Sequence, residues 1–230
     1  MADDLKILSA GAVKPGLARV LDTFQRESAG RVEISFATAP AILKQIGAGD
    51  LPDVLIAPTG VLEELTKSGK CAARETAVLG RIGVGVFVRN DEPLPQVATV
   101  DSFKQSLLGA ESVVYNTASS GTYLEKLFET LGVASATGAK STRYPDFAAV
   151  LDHVSKGKGK EIGLGATTVI IENQSRGVKF AGPLPAEIQN YTSYVAALIA
   201  EREANEVAQQ FMRYLVSPTA KSLLTAAGIQ

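Results

Sequence analysis

Five short segments stand just ahead of helical hydrophobic patterns, at residues 9–14, 37–41, 116–122, 143–147 and 163–168, and most are rich in Ser, Thr, Gly and Ala. Small residues let backbone N–H groups approach an anion, and a helix N-terminus adds a partial positive charge. The candidate binding residues are Ser9, Ala12 and Lys14 in the first segment, Thr38 and Ala39 in the second, and Asn116, Ser119, Ser120, Gly121 and Thr122 in the third. Arg143, Tyr144 and Phe147 in the fourth and Ala166 in the fifth complete the loops, and Arg81 stands where the chain crosses between its two halves. The same residue types are favoured in caps and tight turns. The anion reading therefore rests on their recurrence at equivalent points of two strand–helix series, and on the planar fork by which Arg recognises carboxylates.

Other chemistries find little support. The chain lacks Gly-x-x-x-x-Gly-Lys-Ser/Thr, and Gly83-Val-Gly85 lies inside a strand pattern rather than after one, so no nucleotide fingerprint is present. His153 falls between core positions of a helical stretch, where packing or surface exposure is its ordinary role, and Cys71 has no His near it in sequence. One His and one Cys argue against a His/Cys zinc site, so neither a metal nor a cofactor is expected.

The elements that must position these loops follow from periodicity. Leu5 to Leu8 reads as a strand, and Leu17, Val20, Leu21 and Phe24 as one face of a helix with Pro15 in its first turn. Val32 to Phe36 with the stripe Ile42, Leu43 and Ile46 forms a second unit, and Asp53 to Ile56 with Val61, Leu62 and Leu65 a third. Three successive βα units imply a parallel sheet covered by helices. A second series starts at Ser112 to Tyr115, with helices over Tyr123 to Leu131 and Phe147 to Val154 and a short strand at Glu161 to Leu164. Two long strands, Ile82 to Val88 and Tyr191 to Ile199, divide the chain into an outer lobe, 1–80 plus 190–230, and an inner lobe, 81–189. The expected fold is α/β, with two lobes, each a parallel-dominated sheet flanked by helices. The crossing strands would bend near Gly80-Arg81 and Gln189-Tyr191, making a cleft where ligands sit beyond strand ends.

Composition sets the outer bounds. With 23 Lys+Arg against 24 Asp+Glu in 230 residues, the net charge is −1, and no basic stripe suggests a nucleic-acid partner. At 46% hydrophobic and 20% charged the chain is ordinary for a globular protein. No apolar run approaches the ~18 residues of a membrane span, so stable membrane insertion is not expected. The start, Met1-Ala2-Asp3-Asp4, has no basic n-region followed by an apolar run, which suits a mature exported chain carrying an added Met1.

Ser9-Ala-Gly-Ala-Val-Lys-Pro15, Phe36-Ala-Thr-Ala39, Gln45-Ile-Gly-Ala-Gly49, Pro52-Asp-Val-Leu-Ile56 and Gly182-Pro-Leu-Pro185 together resemble the molybdate-binding-protein-like branch of periplasmic solute-binding proteins, over essentially the whole length. The resemblance implies two α/β lobes closing on a small anionic ligand, a monomer, a periplasmic location and delivery to an ABC transporter permease. Molybdate binders of this branch present a Ser in the first loop, a Ser in the second and a Tyr in a late loop. Those places align with Ala12, Ala39 and Ala166. Each lost hydroxyl partner would cost an oxyanion ~1–3 kcal/mol. The expected ligand is therefore a di- or tricarboxylate rather than molybdate, with Lys14 and Arg81 as charge partners. Aconitate isomerase resembles the same branch, so interconversion of cis- and trans-aconitate by allylic proton transfer is the alternative, with Lys14, Tyr115, Tyr144 and His153 as acid/base candidates.

Overall fold

A computed structural model describes residues 4–27, 31–69, 73–199 and 205–230; Cys71 lies outside them. The first elements are β1 (Leu5–Ala10), α1 (Lys14–Glu27), β2 (Val32–Ala37), α2 (Ala39–Gly47), β3 (Val54–Pro58), α3 (Thr59–Lys67) and β4 (Ala73–Arg89). They are followed by α4 (Val100–Gly109), β5 (Ser112–Asn116), α5 (Ser119–Thr130), α6 (Ala134–Gly138), β6 (Ser141–Tyr144), α7 (Phe147–Lys156), β7 (Glu161–Ala166) and α8 (Thr167–Glu172). The chain ends through β8 (Val178–Pro183), β9 (Tyr191–Ile199), α9 (Glu206–Leu215) and α10 (Pro218–Ala226). It divides into one unit of Met1–Ile82 with Thr192–Gln230 and a second of Gly83–Tyr191. The fold is α/β.

In the first unit β1 pairs in parallel with β2 and β3, and β9 runs antiparallel beside β3. The register sets Ser9 beside both Phe36 and Ile56, so the carboxyl ends of β1, β2 and β3 share one edge. α1 is held by Leu17, Val20, Leu21 and Phe24, all buried, each such side chain contributing ~1.5–3 kcal/mol on burial. Phe24 meets Phe211 of α9 edge to face at 5.2 Å. Asn205 and Ser217 cap α9 and α10 with their side chains.

In the second unit β5 pairs in parallel with β6 and β7, and β4 pairs antiparallel with β7 on one side and β8 on the other. Strand alternation sorts the core onto two faces. Val86, Val113, Tyr115 and Leu164 pack with Phe103 and Leu107 of α4 and Leu124, Leu127 and Phe128 of α5. Phe87 and Val114 point the other way, to Val150, Leu151 and Val154 of α7 and Ile170 of α8. Gly163 and Gly165 leave holes that aromatic rings fill: a Cβ on Gly163 would meet the Phe87 ring at 2.3 Å, and one on Gly165 the Phe147 ring at 2.7 Å.

Two local readings change. Arg143 and Tyr144 are strand residues of β6, because pairing with β5 supplies the backbone partners that their segment lacks on its own. β4 starts well before Ile82, because Thr76 to Leu79 alternates exposed and buried and so hides its strand character in a mixed pattern. Among the described residues no helix is long and apolar enough to cross a membrane.

Candidate functional site

Each unit presents its carboxyl strand ends and the helix heads that follow them. In the first unit Ser9 closes toward its own chain: it is fully buried, and its hydroxyl donates to the Ala10 carbonyl at 3.3 Å. Gly11–Val13 forms a 3-10 turn carrying Ala12, and α1 follows directly with Lys14 exposed at its head. The Lys14 ammonium lies 5.4 Å from the centroid of the Phe36 ring. Among the described residues no carboxylate forms an ion pair with it. Thr38 is the N-cap of α2 with extended backbone, its side chain makes no capping bond, and Ala39 opens the helix.

Arg81 belongs to the same unit, and its backbone is fixed from both sides. Its N–H donates to the Gln230 carbonyl at 2.7 Å, and the Gln230 N–H donates to the Arg81 carbonyl at 3.0 Å. Gly80 adopts φ +136°, and a Cβ there would lie 2.6 Å from the Gln230 carbonyl oxygen, so the close approach requires glycine. Ile229 fills the space over both Gly80 and Gly16 of α1's first turn. That wedge ties the Arg81 backbone to the helix that carries Lys14.

In the second unit Asn116 ends β5 and is 8% exposed. Its Oδ1 accepts from the Ala118 N–H at 3.1 Å and from the Ser120 hydroxyl at 3.5 Å. Those donors fix the amide orientation, because the committed atom must be the oxygen. Its NH2 donates to no described residue and is left for an acceptor. α5 opens at Ser119 with no side-chain cap on its N-cap Ala118, and Ala166 stands likewise uncapped at the head of α8. By contrast α4 closes its own head through the Thr99/Ser102 capping box, and α7 through Asp146. Thr122 is turned back on its helix, its hydroxyl donating to the Ala118 carbonyl at 3.5 Å.

The remaining loop candidates are held elsewhere. Arg143 is paired with Glu125 of α5, whose carboxylate raises the guanidinium pKa, so its charge is neutralised inside the unit. The Tyr144 hydroxyl lies 3.0 Å from His153 Nδ1. His153 sits nearly two turns beyond Phe147, about 9 Å along the axis, which draws that hydroxyl down α7 and away from its head. Phe147 packs on Phe87 with centroids 5.6 Å apart. Tyr115 is buried against Phe128, and desolvation pushes its phenol above the ordinary value.

Two participants have no signal in the local sequence pattern, Phe36 and Glu125, which act through residues distant in sequence. Away from the candidate residues, Tyr194 on β9 pairs with Pro58 at the end of β3. Burial pushes the Tyr194 phenol up to about 12, keeping it a neutral donor at any working pH. The second unit also holds a cavity of about 550 Å3 lined by Leu94, Pro95, Val97, Pro183, Leu184 and Pro185 among others. It shares no residue with the strand-end loops, and the Gln189 amide on its wall is spent on both the N–H and carbonyl of Val84. Among the described residues no three His, Cys, Asp or Glu side chains converge on a metal position.

Comparison with known proteins adds four findings. The sequence profile of the bacterial extracellular solute-binding proteins matches residues 5–230. An aconitate isomerase of Pseudomonas sp is 26% identical over 234 residues, covering 98% of this chain and 87% of that protein. The periplasmic molybdate-binding protein of Azotobacter vinelandii superposes with TM-score 0.82 at 19% identity, covering 99% of both chains. The tungstate ABC transporter structure from Geobacter sulfurreducens gives 0.76 at 13% identity, covering 98% of this chain and all of that one, 100%. At these identities the structural likenesses carry the fold.

Proposed function

The chain belongs to the bacterial extracellular solute-binding protein family, and on that premise we propose that it binds a small organic anion, a di- or tricarboxylate, for delivery to an ABC transporter permease from the periplasm. The observation that carries this reading is Lys14, an ammonium at a helix head with no described carboxylate partner. A cation there opposes the helix dipole by ~0.3–1 kcal/mol, a disadvantage that an arriving anion converts into attraction. Carboxylates leaving water lose several kcal/mol unless paired. In the first unit Lys14 and Arg81 would meet a carboxylate, and in the second the Asn116 NH2 and the uncapped head of α5 offer donors of their own. Ala12, Ala39 and Ala166 present methyl groups where a tetrahedral oxyanion would need hydroxyls, which favours carboxylates over molybdate. Calorimetric titration with citrate, cis-aconitate, trans-aconitate and molybdate tests this: the carboxylates should bind and molybdate should not, and the reverse order refutes it.

The Pseudomonas relative favours a second reading, isomerisation of aconitate. The reaction removes a proton from the methylene carbon and returns one to the far end of the allylic system, with no redox partner. Of the acid/base candidates Lys14 stands at the strand-end edge, while Tyr115 is buried and Tyr144 is engaged with His153. Proton NMR of cis-aconitate incubated with catalytic amounts of protein separates the readings, because a binder leaves the substrate unchanged.

A further inference from the structure

We propose that Phe36 is a positioning residue for the anion site: its ring face holds the Lys14 ammonium in place, so that the charge is aimed before ligand arrives. The inference deepens the carboxylate reading and rests on it. Phe36 sits on β2 in register with Ser9, which puts its ring beside the end of the strand that feeds α1. The ring is half-buried, so one face stays available, and the Lys14 Nζ lies 5.4 Å from its centroid, inside the range of a cation–π contact. Lys14 has strong reason to leave that place. The helix dipole repels it, and a freely moving lysine keeps the rotamer entropy that ordering removes. Among the described residues no carboxylate holds it, and its ammonium rests against the π face of Phe36. An ammonium resting on a ring still has N–H donors directed away from it, which serves an incoming carboxylate. Tyr keeps the π face, whereas Leu keeps bulk and loses the quadrupole.

The experiment uses the whole chain, with citrate, cis-aconitate and trans-aconitate as calorimetric probes. Phe36→Leu should weaken the bound carboxylate about two- to five-fold, and Phe36→Tyr should restore affinity. In a Lys14→Met background Phe36→Leu should change nothing further, which a role in packing alone would not produce. In ligand-free protein the Lys14 Hε protons should carry an upfield ring-current shift that Phe36→Leu abolishes and Phe36→Tyr retains. The proposal is overturned if Phe36→Leu binds as the parent does, or if it weakens binding equally with and without Lys14. A parent that binds none of the three probes refutes the carboxylate reading and the proposal with it, an outcome distinct from a binding parent whose Phe36 variants are indifferent.

Discussion

Gly121→Ala should damage stability and binding together, and the structure fixes how. A Cβ on Gly121 would stand 1.7 Å from the carbonyl oxygen of Asn116 and 2.8 Å from its carbonyl carbon. These are backbone atoms, so no side chain can turn aside, and α5 must part from the end of β5 by more than ~1 Å before the contact is tolerable. The helix is anchored further along by Leu124, Leu127 and Phe128 in the core, so the shift falls on its first turn. Overpacking of this kind costs ~1–3 kcal/mol, occasionally more, against ~0.5–1 kcal/mol that alanine normally gains over glycine in a helix. The 1.7 Å backbone contact puts the cost at the upper end of that range, so in a chain of this length the net loss of ~2–2.5 kcal/mol should lower the melting temperature by about 4–10 °C. Gly47→Ala at the end of α2 is the matched control, because nothing lies within 4 Å of its Cβ position, and it should raise the melting temperature by up to about 4 °C. Displacing the head of α5 also carries its N–H groups beyond the ~2.7–3.2 Å of a useful hydrogen bond, so citrate affinity should fall about tenfold or more in Gly121→Ala alone. Calorimetric melts and titrations of the two variants decide the matter. If Gly121→Ala melts with the parent, or both substitutions shift stability in the same direction, the close seating of α5 on Asn116 is wrong.

Lys14→Gln should leave the ligand-free melting temperature within about 2 °C, because the dipole repulsion it relieves and the cation–π contact it loses are each at most ~1 kcal/mol and of opposite sign. The same variant should bind citrate or aconitate ~1–3 kcal/mol more weakly by titration calorimetry. Arg81→Ala should likewise weaken carboxylate binding by ~1–3 kcal/mol; a large fall in ligand-free stability with unchanged affinity would assign the side chain to folding instead. Molybdate should show no sub-micromolar dissociation constant, and a titration that yields one removes the argument from Ala12, Ala39 and Ala166. At alkaline pH the buried Tyr194, pushed up to about 12, makes folding favour the protonated phenol. That contribution is complete below the unfolded value near ~10 and is lost as pH rises through about 12, to a limit of ~3 kcal/mol. The unfolding free energy read from denaturant melts should therefore fall from pH 9 to 12 more for the parent than for Tyr194→Phe.

What the sequence determined by itself is the alternation of strand and helix and the place of the loops. Leu17, Val20, Leu21 and Phe24 commit to one helical face, and Val54 to Ala57 to a buried strand, because hydrophobic burial is local to each element and leaves its period in the chain. Since those periods mark where strands end, the small-residue segments at 9–14, 37–41 and 116–122 were legible as helix heads. The chemistry of the individual loop residues was not. Arg143 reads as a free cation until Glu125, 18 residues away, is seen to neutralise it. Tyr144 reads as a loop hydroxyl until pairing with β5 makes it a strand residue and His153 engages its oxygen. Lys14 gains its support from Phe36, and the Arg81 backbone its partner from Gln230, through registers that no local pattern encodes. Charge pairing, hydrogen bonding and ring contacts act over a few ångströms of space and are blind to separation along the chain. Only the tertiary structure could decide which of the basic and polar groups at the strand ends, such as Arg143 and Tyr144, are engaged within the fold.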